Sequence, residues 1–280
     1  MTIKTWLNRQ RKLYDNYNAL DAELILCQVL KTDRIFLVAH ADDELESEKE
    51  KQASALVKKR FFDEVPLAYI LRKKEFYGRE FYIDERVLIP RAETELLVDA
   101  VKEIVERDYE KDLKIADVGT GSSCIATTLK LEIPKAKVTA FDISEDALNV
   151  AKRNAKFWNI EIEFVKTDLM DDGSYDIVVA NLPYVDRNWS WVSPDIRFEP
   201  AIALFAEDNG LFEIKRLLEK ISRQQKKCCK NYNTWVVLEL DKSQKNAILS
   251  FAQKLGFVGR QLLPSIKTDY LLALEYINKN

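Results

Sequence analysis

The spacing of apolar residues along the chain changes near residue 75. Before that point they recur three and four positions apart, as at Leu24, Ile25 and Val29, which is the spacing of a helix that buries one face. Residues 43–62 begin acidic and end basic, the charge order that a helix dipole favours. We therefore expect an N-terminal bundle of four or five helices over residues 1–73.

Beyond that point, short apolar runs alternate with helical patterns. Aromatic residues on both sides of Gly78 predict a β-hairpin over residues 75–82, inside a linker that we place at 74–90. The alternation over 91–280 is typical of an α/β domain with a mostly parallel sheet and helices on both faces. The predicted strands are 115–118, 137–141, 162–165, 175–180, 234–240, 258–263 and 271–276, and the predicted helices are 92–107, 122–131, 145–157, 211–223 and 243–255.

Composition narrows the kind of protein. The 280 residues carry a formal net charge of -3, which gives no overall attraction to nucleic acid. No stretch approaches the roughly 20 apolar residues of a membrane span, and the N-terminus lacks the apolar core of a signal peptide. We therefore expect a cytoplasmic protein without a membrane partner.

Histidine and cysteine chemistry have little support in the sequence. His40 is the single histidine and stands in the predicted helical bundle, which leaves no histidine base for the sheet domain. The four cysteines do not have the spacing of a zinc site, so we expect no metal. Two of them, Cys228 and Cys229, are adjacent, and we assign them no role.

A glycine turn follows the first predicted strand of the sheet. Gly119, Thr120 and Gly121 allow the backbone to turn tightly and to approach a ligand closely. Asp142 ends the second strand, where an acid commonly accepts hydrogen bonds from ribose hydroxyls. These residues predict a nucleoside-binding site, although each is also consistent with a simpler role, as a tight turn or, for Asp142, as a helix cap.

Two further observations narrow the identity of the cofactor. Cys124 stands where a dinucleotide-binding turn has its third glycine, which a pyrophosphate needs for close approach to the helix. S-adenosylmethionine carries no phosphate and does not need that glycine, so we expect it in place of NAD. Asp168 and Leu169, after the third strand, are candidates to flank its adenine ring.

The four residues Asn181-Leu182-Pro183-Tyr184 follow a buried strand of the same sheet. The Asn181 side-chain oxygen and a backbone carbonyl, which we place at Leu182, can accept both N–H groups of a planar amide. Pro183 stiffens the turn, and Tyr184 offers a flat face for stacking. The segment predicts methyl transfer to the nitrogen of a flat acceptor, and read alone it is also consistent with a strand-ending turn.

The order of these motifs resembles the HemK/PrmC family, protein-(glutamine-N5) methyltransferases that act on peptide-chain release factors. Residues 89–95, IPRAETE, are similar to that family's I-P-R-P-E-T-E segment. Residues 197–200, RFEP, with 203–204 and 208–211, resemble its R-x-E-P…A-L…D-G-L run. The hairpin also fits, and the resemblance covers nearly the whole chain.

The resemblance implies a Rossmann-like, S-adenosylmethionine-dependent methyltransferase with an N-terminal helical domain that docks the substrate. The implied substrate is the glutamine of the release factors' Gly-Gly-Gln motif, so we expect release factors as partners, no nucleic acid, and a monomer. The implied cofactor contacts are Gly119, Thr120, Gly121, Ser122, Ser123, Asp142, Leu169 and Asn181. The implied substrate contacts are Asn181, Leu182, Pro183 and Tyr184, of which Asn181, Pro183 and Tyr184 are the expected catalytic residues.

The chain departs from the family pattern at several positions. Leu182 and Ala92 replace usual prolines, and Ser123 replaces a usual glycine of the cofactor loop, which we expect to weaken cofactor binding. Residues 239–241 lack an expected glycine.

Three alternative functions stay open at this stage. Asn-Leu-Pro-Tyr also occurs in ribosomal-RNA adenine dimethyltransferases, so methylation of adenine in ribosomal RNA or DNA is one alternative. Methylation of a glutamine in a ribosomal protein is the second. The third is a degenerate methyltransferase fold that only binds, which would have lost its affinity for the cofactor.

Overall fold

The computed structural model describes residues 1–109, 113–189, 194–227, 233–262 and 269–277. The chain divides into two compact units, Met1–Lys73 and Lys74–Asn280. Cys228 and Cys229 lie outside the described residues. Within the described ranges, no helix is long and apolar enough to cross a membrane.

The first unit is a helical bundle, as the apolar spacing predicts. Its helices are α1 (Ile3–Leu13), α2 (Ala19–Leu30), α3 (Arg34–Ala39), α4 (Ser47–Phe61) and α5 (Leu67–Leu71). Polar side chains accept backbone N–H groups where three helices begin: Thr2 caps α1, Asn18 caps α2 and Asp33 caps α3. Trp6 and Ile25 lie fully buried in the core of this unit.

The predicted hairpin is confirmed and consists of β1 (Lys73–Phe76) and β2 (Arg79–Tyr82). Phe76 and Phe81 are buried and pack edge to face, with their ring centroids 6.2 Å apart. The buried side chain of Asn154 donates to the backbone carbonyls of both Tyr82 and Ser122, at 2.9 Å each. The hairpin and the loop that contains Ser122 are therefore held by one amide.

A seven-stranded sheet forms the centre of the second unit. Its strands are β3 (Lys114–Val118), β4 (Lys137–Asp142), β5 (Glu163–Lys166), β6 (Ile177–Ala180), β7 (Thr234–Glu239), β8 (Phe257–Arg260) and β9 (Leu271–Tyr276). They lie in the order β5-β4-β3-β6-β7-β9-β8. Strands β3 to β7 run parallel, while β9 is antiparallel to β7 and β8, so the mostly parallel sheet is confirmed.

Helices cover both faces of this sheet. They are α6 (Glu95–Asp108), α7 (Cys124–Glu132), α8 (Glu145–Phe157), α9 (Ala201–Leu204), α10 (Glu207–Gly210), α11 (Phe212–Lys227) and α12 (Lys245–Leu255), with 3-10 turns at Pro194–Phe198 and Lys242–Gln244. Leu97, Ile104 and Leu129 of α6 and α7 belong to one core, and Leu217 and Ile248 of α11 and α12 belong to another. Strands β6 and β7 are buried along their whole length, as expected between two covered faces.

The apolar pattern does not predict α9 and α10. Four residues are too few to show a helical period. Asp208 and Asn209 also have positive φ angles of 58° and 55°, so the backbone of α10 is closer to a turn than to a helix.

Candidate active site

The carboxyl ends of three neighbouring strands bring the predicted motifs together. Val118 of β3 pairs with Phe141 of β4 and with Ala180 of β6, so the residues that follow these strands lie side by side. A cavity of about 270 Å³ opens at this edge. One water molecule needs roughly 10–15 Å³, so the cavity has room for an organic ligand. The predicted residues that line it are Gly119, Thr120, Gly121, Ser122, Asp142, Asp168, Leu169, Asn181, Leu182 and Pro183.

The glycine turn is fixed against its neighbouring strands. The N–H groups of Gly119 and Thr120 both donate to the carbonyl of Phe141, at 2.9 and 2.8 Å. Gly119 has a φ of +75°, and a Cβ at that position would lie 3.1 Å from Leu182 Cδ2. The two motifs therefore approach so closely that a side chain at position 119 would be both strained and crowded.

Asp142 lies at the cavity wall with both carboxylate oxygens in use. Oδ2 accepts from the N–H of Gly121 and Oδ1 from that of Ser144, at 2.9 Å each. Each oxygen has a second lone pair, so the carboxylate can also accept from hydroxyls of a ligand. Burial raises its pKa. The residue that caps α8 is Ser144, whose hydroxyl accepts from Ala147 N–H.

A second acid supports the glycine turn from below. Asp117 is fully buried, and its Oδ2 accepts from the Thr120 hydroxyl at 2.7 Å and from Ala126 N–H at 3.1 Å. Burial raises the pKa of Asp117 to about 7. Because the Asp117 side chain binds both the glycine turn and the start of α7, it fixes these two parts of the cavity wall relative to each other.

Ser123 and Tyr184 are not among the residues that line the cavity. Ser123 is fully buried, has a φ of +66°, and forms a hydrogen bond between its Oγ and Thr127 Oγ1 at 2.9 Å. The left-handed backbone explains why a glycine suits this position. Because the Ser123 hydroxyl is directed to Thr127, it is not directed into the cavity.

Asp168 and Leu169 reach the cavity from the end of β5. The Asp168 carboxylate forms an ion pair with Arg216 of α11, which also bonds to Glu213 at 2.8 Å. Leu169 has a φ of +67°. Arg216 and Glu213 also line the cavity and were not predicted from sequence, since nothing in the helical pattern of α11 distinguishes them from solvated residues.

The side-chain amide of Asn181 is oriented by a residue from another motif. Its Nδ2 donates to Thr94 Oγ1 at 3.1 Å. The amide nitrogen therefore faces Thr94, and the amide oxygen lies on the opposite side of the amide group.

Tyr184 is held by hydrogen bonds at both its side chain and its backbone. Its hydroxyl donates to Glu239 Oε1 at 3.0 Å, and its backbone carbonyl accepts from Gln244 Nε2 at 2.8 Å. A Cβ on Gly210 would lie only 2.0 Å from the same carbonyl oxygen. Glu239, Gln244 and the packing role of Gly210 were not predicted, because they involve side chains far apart in the sequence.

An ion pair between Arg91 and the buried Glu199 joins two of the family-like segments. Glu199 accepts from the Arg91 guanidinium and, at 3.0 Å, from the backbone N–H of Ile89. Glu199 is buried, and each of its two carboxylate oxygens accepts one of these hydrogen bonds, which offsets the cost of burying its charge. This pair fixes residues 89–91 along one side of the cavity.

The charges that line the cavity fit a ligand without phosphate. The lining contains three cations, Arg86, Arg91 and Arg216, and each forms an ion pair with a carboxylate of this chain. Within the described lining, no unpaired cation is therefore available for a pyrophosphate. Asp142, which accepts backbone N–H groups and forms no ion pair with a described residue, instead suits a nucleoside that carries a positive charge, as the sulfonium of S-adenosylmethionine does.

Family models match residues in both the helical unit and the sheet unit. Residues 5–71 match the PrmC N-terminal domain family, and residues 92–192 match the Methyltransferase small domain family. A release factor glutamine methyltransferase of Neisseria gonorrhoeae is 34% identical over 95% of this chain and 94% of its own length. One from Bacillus anthracis is 37% identical over 71% of this chain and 73% of its own length.

Solved structures show the same fold. The N-terminal domain of human METTL16, a structure in complex with SAH, has a TM-score of 0.51 and 17% identity, and covers 89% of this chain and 90% of its own. The sequence relatives carry the closer assignment, because the similarity to the Neisseria gonorrhoeae protein covers 95% of this chain and so includes both the helical and the sheet unit. The chain belongs to the release factor glutamine methyltransferase family.

Proposed function

We propose that this protein transfers a methyl group from S-adenosylmethionine to the side-chain amide nitrogen of the glutamine in the Gly-Gly-Gln motif of release factors. The observation that carries the proposal is the Asn181 amide, fixed by Thr94 beside the glycine turn. The reaction belongs to translation termination, and we place it in the cytoplasm.

The cofactor would lie along the carboxyl edge of the sheet. Gly119 to Ser123 would surround it as the turn, Asp142 would accept its ribose hydroxyls, and Asp168 with Leu169 would flank its adenine ring. When bound, S-adenosylmethionine supplies an electrophilic methyl group on a sulfonium sulfur. Each arginine of the lining is paired with a carboxylate, and Asp142 is the lining acid that forms no ion pair with a described residue, so its charge favours that cation.

The acceptor site addresses the weak nucleophilicity of an amide. The lone pair of an amide nitrogen is delocalised into its carbonyl, so the nitrogen has to be oriented and its N–H groups stabilised as positive charge develops. The Asn181 side-chain oxygen and the Leu182 backbone carbonyl would accept these two N–H groups. Pro183 restricts the turn, and Tyr184 would support the planar acceptor. Positioning and electrostatics thus replace a strong base.

The same proposal assigns a role to each part of the chain. Residues 1–73 would dock the release factor, residues 74–90 would link the two parts, and residues 91–280 would carry the methyl transfer. A monomer is sufficient for this chemistry.

The experiment that tests the proposal offers several acceptors to one enzyme. The purified chain is incubated with methyl-labelled S-adenosylmethionine and, in parallel, with a release factor, ribosomal proteins, ribosomal RNA and DNA. We expect label in the release factor alone. Label in RNA or DNA would assign the chain to the adenine methyltransferases, and label in a ribosomal protein would change the protein substrate. No label, with no cofactor binding by calorimetry, would indicate a degenerate fold.

A further inference from the structure

Glu239 is a buried acid next to the acceptor motif. It ends β7, is only 3% exposed, and follows Leu238, which pairs with Ala180 of β6. The residue after Ala180 is Asn181, so Glu239 and Asn181 leave neighbouring strands at the same edge.

Glu239 contacts the motif through one oxygen and leaves the other unused. Oε1 accepts from the Tyr184 hydroxyl at 3.0 Å. Oε2 is buried and has no hydrogen-bond partner among the described residues. A buried carboxylate with an unpaired oxygen is costly, and such groups in native proteins commonly have a functional reason.

Thr94 is bonded to Asn181 and also influences the protonation of the same acid. The Thr94 hydroxyl accepts from Asn181 Nδ2, so its own proton has to be donated elsewhere. Thr94, Tyr184 and Asn181 all lower the pKa of Glu239, which means that they favour its ionised form. A carboxylate at this position therefore attracts the N–H side of the Asn181 amide and leaves the amide oxygen for the acceptor.

We propose that Glu239 is a positioning residue whose carboxylate, acting through Thr94 and Tyr184, holds the Asn181 amide oxygen toward the acceptor amide. This inference rests on the proposed methyl transfer. A neutral Glu239 would direct an O–H donor toward the hydroxyls of Thr94 and Tyr184, which are themselves donors, so the Asn181 amide would lose its preferred orientation.

The position of this acid makes the orientation of the Asn181 amide sensitive to pH. Burial, with a smaller contribution from the charge of Glu93, raises the pKa of Glu239 to about 7. Among the described residues, the titratable or charged groups that interact with Glu239 or with its partner Tyr184 are Glu93, Arg91, Cys124 and Asp241. Because this orientation requires the ionised form, turnover should decrease as the pH falls through the pKa of Glu239.

The test compares Glu239→Gln with Glu275→Gln, a control acid on β9 that pairs with Arg260. Cofactor affinity is measured by calorimetry, and kcat for release-factor methylation is measured from pH 6 to 9. We expect Glu239→Gln to lower kcat about tenfold or more, to change cofactor affinity less than about threefold, and to lose the acid limb. The control should keep all three properties. Wild-type kcat with the acid limb retained in Glu239→Gln would overturn the proposal.

Two further measurements keep the test decisive. If Glu239→Gln does not fold, Thr94→Val removes the connecting hydroxyl, and it should lower kcat with cofactor affinity retained; unchanged kcat would count against the proposal. If the wild type does not methylate release factor, the proposed function fails, and the NMR resonance of the Asn181 side-chain amide then decides. A shift between pH 6 and 8 that is absent in Glu239→Gln supports the positioning role, and no shift in the wild type contradicts it.

Discussion

Asn181 Nδ2 donates a hydrogen bond to Thr94 Oγ1 at 3.1 Å, across 87 positions of the sequence. This bond joins residues 89–95 to the turn that begins at Asn181. The same site is reinforced by Glu199, which binds Ile89 and Arg91, and by the tight approach of Gly210 to Tyr184. Segments that resemble the family at separate places in the chain therefore meet as one structure.

Asn181→Ala should abolish methyl transfer without abolishing cofactor binding. The variant lacks the amide oxygen that accepts an acceptor N–H, and loss of one such interaction typically costs about 100- to 1,000-fold in kcat. Cofactor affinity, measured by calorimetry, should fall far less. Asn233→Ala, whose side chain bonds to Glu275 away from the cavity, serves as the control. Full activity of Asn181→Ala would contradict the assigned role.

Asp142→Ala should weaken the binding of S-adenosylmethionine. A charge-assisted hydrogen bond contributes about 1.5–3 kcal/mol, so we expect a loss of roughly 10- to 100-fold in affinity. Asp172 is exposed and does not line this cavity, so Asp172→Ala should bind as the wild type does. Equal dissociation constants for the two variants would mean that Asp142 does not contact the cofactor.

Gly210→Ala should be far more destabilising than Gly78→Ala. Both glycines have positive φ angles, +79° and +67°, so both alanines carry a backbone penalty of about 1 kcal/mol. Of the two, Gly210 is the crowded one: a Cβ there would lie 2.0 Å from Tyr184 O, while a Cβ at Gly78 would have no described residue within 4 Å besides its chain neighbours. We expect a further loss of about 4 kcal/mol or complete misfolding at Gly210. Urea unfolding of both variants measures the difference, and similar midpoints would refute the close approach.

Stability should decrease between about pH 5 and pH 7.5. Burial raises the pKa of both Asp117 and Glu239 to about 7, so the folded protein keeps protons that the unfolded chain has already lost. The unfolded state then binds fewer protons, and the free energy of unfolding falls as pH rises through this window. Glu239→Gln should show a shallower decrease in its urea midpoint. A slope identical to that of the wild type would contradict the raised pKa.

Ser123→Gly should leave cofactor affinity within about threefold of the wild type. The Ser123 side chain is buried and bonds to Thr127, so its removal does not change the cavity lining. Glycine relieves the positive φ but loses one hydrogen bond, and these effects of about 1 kcal/mol each oppose one another. Calorimetry and urea unfolding test both expectations, and a large gain in affinity would show that the serine impairs the site.

The sequence predicts the residues at the sheet edge better than the contacts that hold them. Gly119, Asp142 and Asn181 each follow an apolar run, and parallel strands place their ends together, so the edge follows from a local pattern and one general rule. The Tyr184–Glu239 contact spans 55 positions and the Arg91–Glu199 contact spans 108. Such pairs depend on which strands and loops become neighbours, and no local pattern contains that information.

The directions of the Ser123 and Tyr184 side chains could not be predicted from the sequence either. Ser123 stands in the glycine turn and was expected to affect the cofactor, yet its backbone conformation turns the hydroxyl toward α7. The structure places the Tyr184 hydroxyl on Glu239 and does not place Tyr184 among the residues that line the cavity, so its contact with an acceptor stays a prediction. The directions of both side chains depend on φ angles and tertiary contacts.

The most direct test of the central claim is to locate the methyl group on a modified release factor. Release factor treated with wild-type enzyme and S-adenosylmethionine is digested, and tandem mass spectrometry assigns the modified residue. We expect one methyl group on the side-chain amide of the Gly-Gly-Gln glutamine, absent when Asn181→Ala replaces the wild type. A methyl group on any other residue, or an equal yield from the variant, would contradict it.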